Sequence, residues 1–112
     1  MGKERDGESM NNLGNLLKQA QKFQSQVSQI QAELAEQRVE VSAGGGMVTA
    51  VVNGRQELLA VRIDPQVVDP ADVEMLEDLV VAAVSEAMTR ASEMAAERMR
   101  KLTGGLELPG IV

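Results

Sequence analysis

Residues 39–63 read VEVSAGGGMVTAVVNGRQELLAVRI, and their side-chain period decides the fold. Val39, Val41 and Ala43 alternate with Glu40 and Ser42, which is the period of two expected of a strand, before Gly44-Gly45-Gly46 breaks the pattern. Met47 to Val52 and Arg55 to Ile63 are again β-branched and apolar. Asn53-Gly54 lies between them, a pair suited to a two-residue type I′ turn, whose central residues both take positive φ. Three antiparallel strands follow. In that register Val52 opposes Arg55 and Val48 opposes Leu59, and both faces of the sheet carry apolar residues. One face should take the chain's own helices. The other face, or an edge, is expected to meet a second copy.

Upstream, Leu13, Leu16, Ala20, Phe23, Val27, Ile30 and Leu34 recur at spacings of three and four, a heptad stripe with Gln, Ser, Asn and Lys between. This predicts a helix capped at Asn11 or Asn12; an ordinary amphipathic helix would pack on its own sheet, but a stripe this narrow favours packing on another helix. Residues 1–10 are expected to be a disordered leader. Downstream, Asp64-Pro65 and Asp69-Pro70 each place an acceptor before a proline suited to a first helical turn. The first is expected to open a single turn, the second a long helix. Val73, Leu76, Val80, Ala83, Ala87, Met94 and Met99 supply its stripe, Arg98, Arg100 and Lys101 gather at its end, and Gly104 and Gly105 stop it. Residues 106–112 read as a tail, which leaves 11–105 as one domain. The fold class is α+β, with an α-β-β-β-α protomer and a three-stranded antiparallel sheet.

Helices of about 25 and 30 residues span about 38 and 45 Å, against about 20 Å for six-residue strands. The helices are therefore expected to run past the sheet and to lie together at its far end. A chain of 112 residues whose sole aromatic is Phe23, with seven Met, has little core to spare, and a twin subunit would supply more. Phe23, Val27, Val48, Val52, Leu59 and Val61 are the expected dimer contacts.

With neither Cys nor His, the usual nucleophiles, bases and transition-metal ligands are excluded, so the chain reads as no enzyme and needs no cofactor. Gly44-Gly45-Gly46 lacks the Lys-Ser or Lys-Thr of a phosphate loop and precedes a strand, so it reads as a turn. Asp64, Asp69, Asp72, Glu74, Glu77 and Asp78 lack calcium-loop spacing and read as caps and helix-dipole partners, with no metal site. Nothing in the pattern implies a small-molecule substrate. The lack of a long apolar run and of a secretory leader predicts no membrane contact and a cytoplasmic location.

The cations are unevenly spread. Between Ser9 and Ala32 the charges are Lys18 and Lys22, and Arg98, Arg100 and Lys101 cluster near the end of the last helix. Carried on two helical arms per dimer, these would grip phosphates without reading bases, whereas the other reading is a solvated face with helix-end charges. The net charge of −6 opposes nucleic acid at long range, and it suits the alternative of a dimeric protein-interaction adaptor that does not touch DNA.

Leu17-Lys18-Gln19-Ala20-Gln21, the Gly44-Gly45-Gly46 turn, Asn53-Gly54, Ile63-Asp64-Pro65, Leu76-Glu77-Asp78-Leu79 with Ala82-Ala83, and Leu102-Thr103-Gly104-Gly105 together resemble the YbaB/EbfC family of bacterial nucleoid-associated proteins. The likeness runs from about residue 11 to the end. It implies a tweezer-shaped homodimer that binds double-stranded DNA in the nucleoid through its long helices. On this chain those contacts fall on Lys18, Lys22, Arg98, Arg100 and Lys101.

Overall fold

In the computed structural model, which describes the backbone of residues 2–104 and the side chains from Asn12 onward, the element order is helix, three strands, helix. Helix α1 is Gly2–Glu36, strands β1, β2 and β3 are Arg38–Ala43, Val48–Asn53 and Leu58–Ile63, and helix α2 is Val73–Leu102. The tail expected at 106–112 lies outside the described residues. The chain divides into two compact units, Met1–Ile30 and Gln31–Val112.

The first unit is the body of α1. Its helix begins at Gly2, so it takes in the stretch expected to be a disordered leader, and Asn11 and Asn12 lie inside it instead of capping it. Leu13 and Leu16 are each about three-fifths exposed and Phe23 is also exposed, so the predicted stripe stands open over its first half and closes through half-buried Val27 to buried Ile30.

The second unit is built on the sheet, ordered β1-β2-β3 and antiparallel throughout. Period-two alternation sends Val39, Val41 and Ala43 of β1 and Val48, Ala50 and Val52 of β2 to one face, and there α2 covers them. Ala83, Ala87 and Ala91, one turn apart along α2, are fully buried on that face. Three methyl-sized residues in a row let the helix backbone settle close on the strands, and Leu76, Leu79, Val80, Val84 and Met88 flank the seam. The opposite face carries polar pairs, with Ser42 and Thr49 sharing a hydrogen bond of 2.8 Å and Arg62 pairing with Glu40 at 3.6 Å, beside Val51, which is 6% exposed.

The β1–β2 turn is as read. Gly44, Gly45 and Gly46 all take left-handed backbone, with φ of 64, 68 and 92°, which a side chain at any of the three would resist.

The β2–β3 connection is not as read. Val48 pairs with Ile63 and Val52 with Leu58, which places Leu59 in a bulge and makes residues 54–57 the loop. The predicted register, with Val52 opposite Arg55 and Val48 opposite Leu59, is therefore three residues off at Val52 and, past the bulge, four off at Val48. Asn53, only 4% exposed, organises the longer loop: its Oδ1 accepts from the N–H groups of Arg55 at 2.9 Å and Glu57 at 3.0 Å, and its Nδ2 donates to Glu57 Oε1 at 2.9 Å. Gln56 takes the positive φ, 62°, and its Nε2 donates to the Met88 carbonyl of α2 at 3.1 Å. Gly54 is a glycine for a different reason. Its N–H donates to the Leu34 carbonyl at 2.8 Å, and a Cβ there would stand 2.8 Å from that same oxygen.

Asp64 caps a single 3-10 turn, Pro65–Val67, with its side chain accepting from the Gln66 N–H. Asp69-Pro70 forms a separate turn, in which Asp69 Oδ1 accepts from the Ala71 N–H at 2.9 Å. The cap of α2 is Asp72, accepting from Met75 N–H, so the helix opens three residues later than Asp69-Pro70 implied. Gly104, at φ 67°, follows the last turn.

Candidate nucleic-acid interface

A surface that grips a nucleic acid needs cations that its own carboxylates have not already taken. In the first unit Lys18 and Lys22 sit four apart on α1, hence on one face, and both are exposed. No ion pair engages either among the described residues. Their neighbours on the helix are neutral Gln, Ser and Asn, which lets the two ammonium groups act together.

In the second unit the predicted cations Arg98, Arg100 and Lys101 fall in the last turns of α2, but two are engaged. Arg100 Nη2 pairs with Glu97 Oε2 at 2.6 Å within one turn. Arg98 Nη2 pairs across to Glu33 Oε2 near the end of α1. Lys101 is exposed and has no ion pair among the described residues. The sequence-expected set is thus brought together as two groups, each in its own unit, and only part of it is available.

The same pattern holds over the rest of the surface. Arg90 is held by Glu86 at 3.1 Å, Arg62 by Glu40, and Arg38 donates to the carbonyls of Ala35 and Gln37 at the end of α1. Arg55 is the exception. It is exposed, it has no ion pair among the described residues, and its backbone is fixed by Asn53 on a loop whose Gly54 and Gln56 touch Leu34 and Met88. Sequence reading passed over it because it was counted as the first residue of β3. A loop assignment was the missing signal.

The expected dimer contacts divide in the same manner. Val48 and Val52 are fully buried in the protomer's own core beneath α2, so they cannot face a partner. Phe23 and Leu59 are exposed, and Val27 and Val61 are half-buried. Strand β3 is an uncovered apolar strip of the second unit. Helix α2 lies on β1 and β2 and hardly touches β3, leaving Leu58, Leu59 and Ile63 at 48, 46 and 39% exposure along an edge with unpaired backbone groups.

Among the described residues no group of three or more acidic side chains could hold a metal ion, and Asp64, Asp69 and Asp72 each accept from a backbone N–H group. No described helix is long and apolar enough to cross a membrane.

The family model that describes the YbaB/EbfC DNA-binding family matches residues 10–106. A nucleoid-associated protein of Thermoanaerobacter pseudethanolicus is 54% identical over 100 residues, covering 89% of this chain and 90% of that one. One from Moorella thermoacetica is 54% identical over 101 residues, covering 90% and 97%. The crystal structure of an uncharacterized protein of Helicobacter pylori shares the fold, with a TM-score of 0.71 at 24% identity over 82% of this chain and 94% of that one.

Proposed function

The chain belongs to the YbaB/EbfC DNA-binding family of nucleoid-associated proteins, and from that premise we propose that it works as a homodimer that binds double-stranded DNA with little regard to sequence, as an architectural component of the bacterial nucleoid. Support for the dimer comes from the bare β3 edge. Covering the exposed half of Leu58, Leu59 and Ile63 contributes about 1 kcal/mol per side chain, in both copies, and edge pairing adds ladder hydrogen bonds. Phe23 and the open leucines of α1 offer further apolar surface.

Support for sequence-nonspecific binding comes from the kind of cation left free. Lys18, Lys22, Lys101 and Arg55 stand on exposed surface, and lysines in particular act as point charges on phosphates. Arg98 and Arg100 join them once their carboxylates let go. The protein then holds the duplex backbone, and the helices on which these residues sit set the spacing.

A net charge of −6 per protomer makes the affinity modest and salt-sensitive. Lys18, Lys22 and Lys101 from two protomers give about six phosphate contacts, for a slope near −5 in log K against log salt and about a thousandfold loss between 50 and 200 mM. Fluorescence anisotropy with a labelled duplex at both salts tests this, alongside light scattering for the dimer. Replacing Lys18 and Lys22 together by Ala should flatten the slope by about 3 to 4. Absence of binding at 50 mM salt, or binding indifferent to salt, overturns the reading.

The carboxylates that neutralise Arg62, Arg90, Arg98 and Arg100 favour a second reading, a dimeric adaptor for another protein without direct DNA contact. A stable dimer that fails to bind duplex at low salt selects it.

A further inference from the structure

We propose that Glu33 is an internal competitor for phosphate, occupying the Arg98 guanidinium that a bound polyanion would otherwise take, and thereby setting how tightly the protein holds DNA. The inference rests on the reading of α2's terminal cations as phosphate ligands.

The Glu33–Arg98 pair differs from the other helical ion pairs. Arg90–Glu86 and Arg100–Glu97 are neighbours within one helix, three or four residues apart. Glu33 and Arg98 are 65 residues apart and join the last turns of α1 to the last turns of α2. Both side chains are a little under half exposed and line an open cleft of about 300 Å³ with Leu34, Gln37 and Met94. Water and small oxyanions therefore reach the pair directly.

Glu33 is held at this place by its neighbour. Leu34 is 2% exposed, and its carbonyl accepts from the Gly54 N–H of the β2–β3 loop at 2.8 Å. That contact anchors the last turn of α1, so packing of the adjacent residue presents the carboxylate to Arg98. The competitor is part of the scaffold.

The chemistry is a contest between two oxyanions for one guanidinium fork. Carboxylate and phosphate both suit it, and whichever occupies it leaves the other without its donors. A half-exposed pair resists separation by only about 1.4- to 5-fold, so a phosphate at high local density on a duplex displaces Glu33. Doubled in a dimer, the handicap reaches about 2- to 30-fold in DNA affinity. Neutralising Glu33 removes it and frees one more cation per protomer.

The experiment compares the full-length wild-type protein with Glu33→Gln, with Glu36→Gln, and with Glu33→Gln combined with Arg98→Ala. Glu36→Gln makes the same change in net charge one turn further on, at a carboxylate with no ion pair among the described residues. By duplex anisotropy, Glu33→Gln should bind several-fold tighter than Glu36→Gln at the same salt slope, since the duplex takes Arg98 in both, and Arg98→Ala should abolish that gain. Elution from immobilised heparin reads the release of Arg98 without any duplex, and Glu33→Gln should elute at higher salt than Glu36→Gln. Equal elution and equal duplex affinity for the two single variants, or a gain that survives Arg98→Ala, overturn the inference. If wild type fails to bind duplex while Glu33→Gln still elutes late from heparin, the DNA reading falls and Glu33 stands as a competitor for polyanions.

Discussion

Replacing Gly54 by Ala distinguishes two physical reasons for the same residue. A turn glycine is needed for positive φ, whereas this one lacks it and is needed for space. The new Cβ would stand 2.8 Å from the Leu34 carbonyl oxygen, 2.8 Å from Leu34 Cδ2 and 3.0 Å from Leu34 Cβ. A side-chain rotation could relieve the Cδ2 contact, but the carbonyl is backbone and can withdraw only if the last turn of α1 lifts from the loop. Lifting it breaks the Gly54 N–H to Leu34 hydrogen bond and loosens Leu34, among the largest fully buried side chains of the protein. Overpacking costs about 1 to 3 kcal/mol and a buried donor left without its acceptor a similar amount, so about 3 kcal/mol is expected. In thermal unfolding of a chain this size that is a fall of about 13 °C. Gly45→Ala is the control: its φ is 68° and nothing stands within 4 Å of a Cβ, so it should lose only about 1 kcal/mol. Gly54→Asn sharpens the test, since Asn is tolerated at a left-handed turn position but is larger than Ala in a tight space. Urea unfolding at one fixed protomer concentration, needed because association contributes to apparent stability, gives the three differences. The reasoning is refuted if Gly54→Ala is no worse than Gly45→Ala, or if Gly54→Asn is more stable than Gly54→Ala.

Asn53→Ala should lose about 3 kcal/mol in the same urea assay, because the Arg55 and Glu57 N–H groups lose the Oδ1 that now accepts from both. Ala87→Leu should lose about 2 to 3 kcal/mol, since the fully buried methyl holds α2 close on the sheet and three more carbons have nowhere to go. Asp72→Ala should cost about 1 kcal/mol through loss of the cap on Met75 N–H, with little change in helix content by circular dichroism. Ile63→Lys, at a side chain 39% exposed on the β3 edge, should leave the protomer folded while sedimentation shows its mass halved.

How much of this was legible in the sequence follows from how far apart the deciding groups lie. Strands come from alternation within six residues, the glycine turn from three adjacent residues that tolerate left-handed backbone, and the Asp64 cap from an oxygen reaching two residues along. Those features, and with them the α-β-β-β-α order and the family resemblance, are local chemistry, and a sequence displays local chemistry directly. The β2–β3 register was misread because Asn53-Gly54 has two uses. As an isolated pair it favours a two-residue turn. In the folded protein the Leu34 carbonyl and the Met88 carbonyl, 32 residues from Gln56, draw the loop out to four residues and shift every partner on β3. Likewise, which cations remain free could not be read from their spacing, because Arg98 finds its carboxylate on a different helix, 65 residues away. Pairing of that kind has no periodic trace in the chain. It exists only once packing has brought the ends of α1 and α2 together, and so it was tertiary structure, through burial and charge compensation between distant segments, that decided which surface is open to a partner.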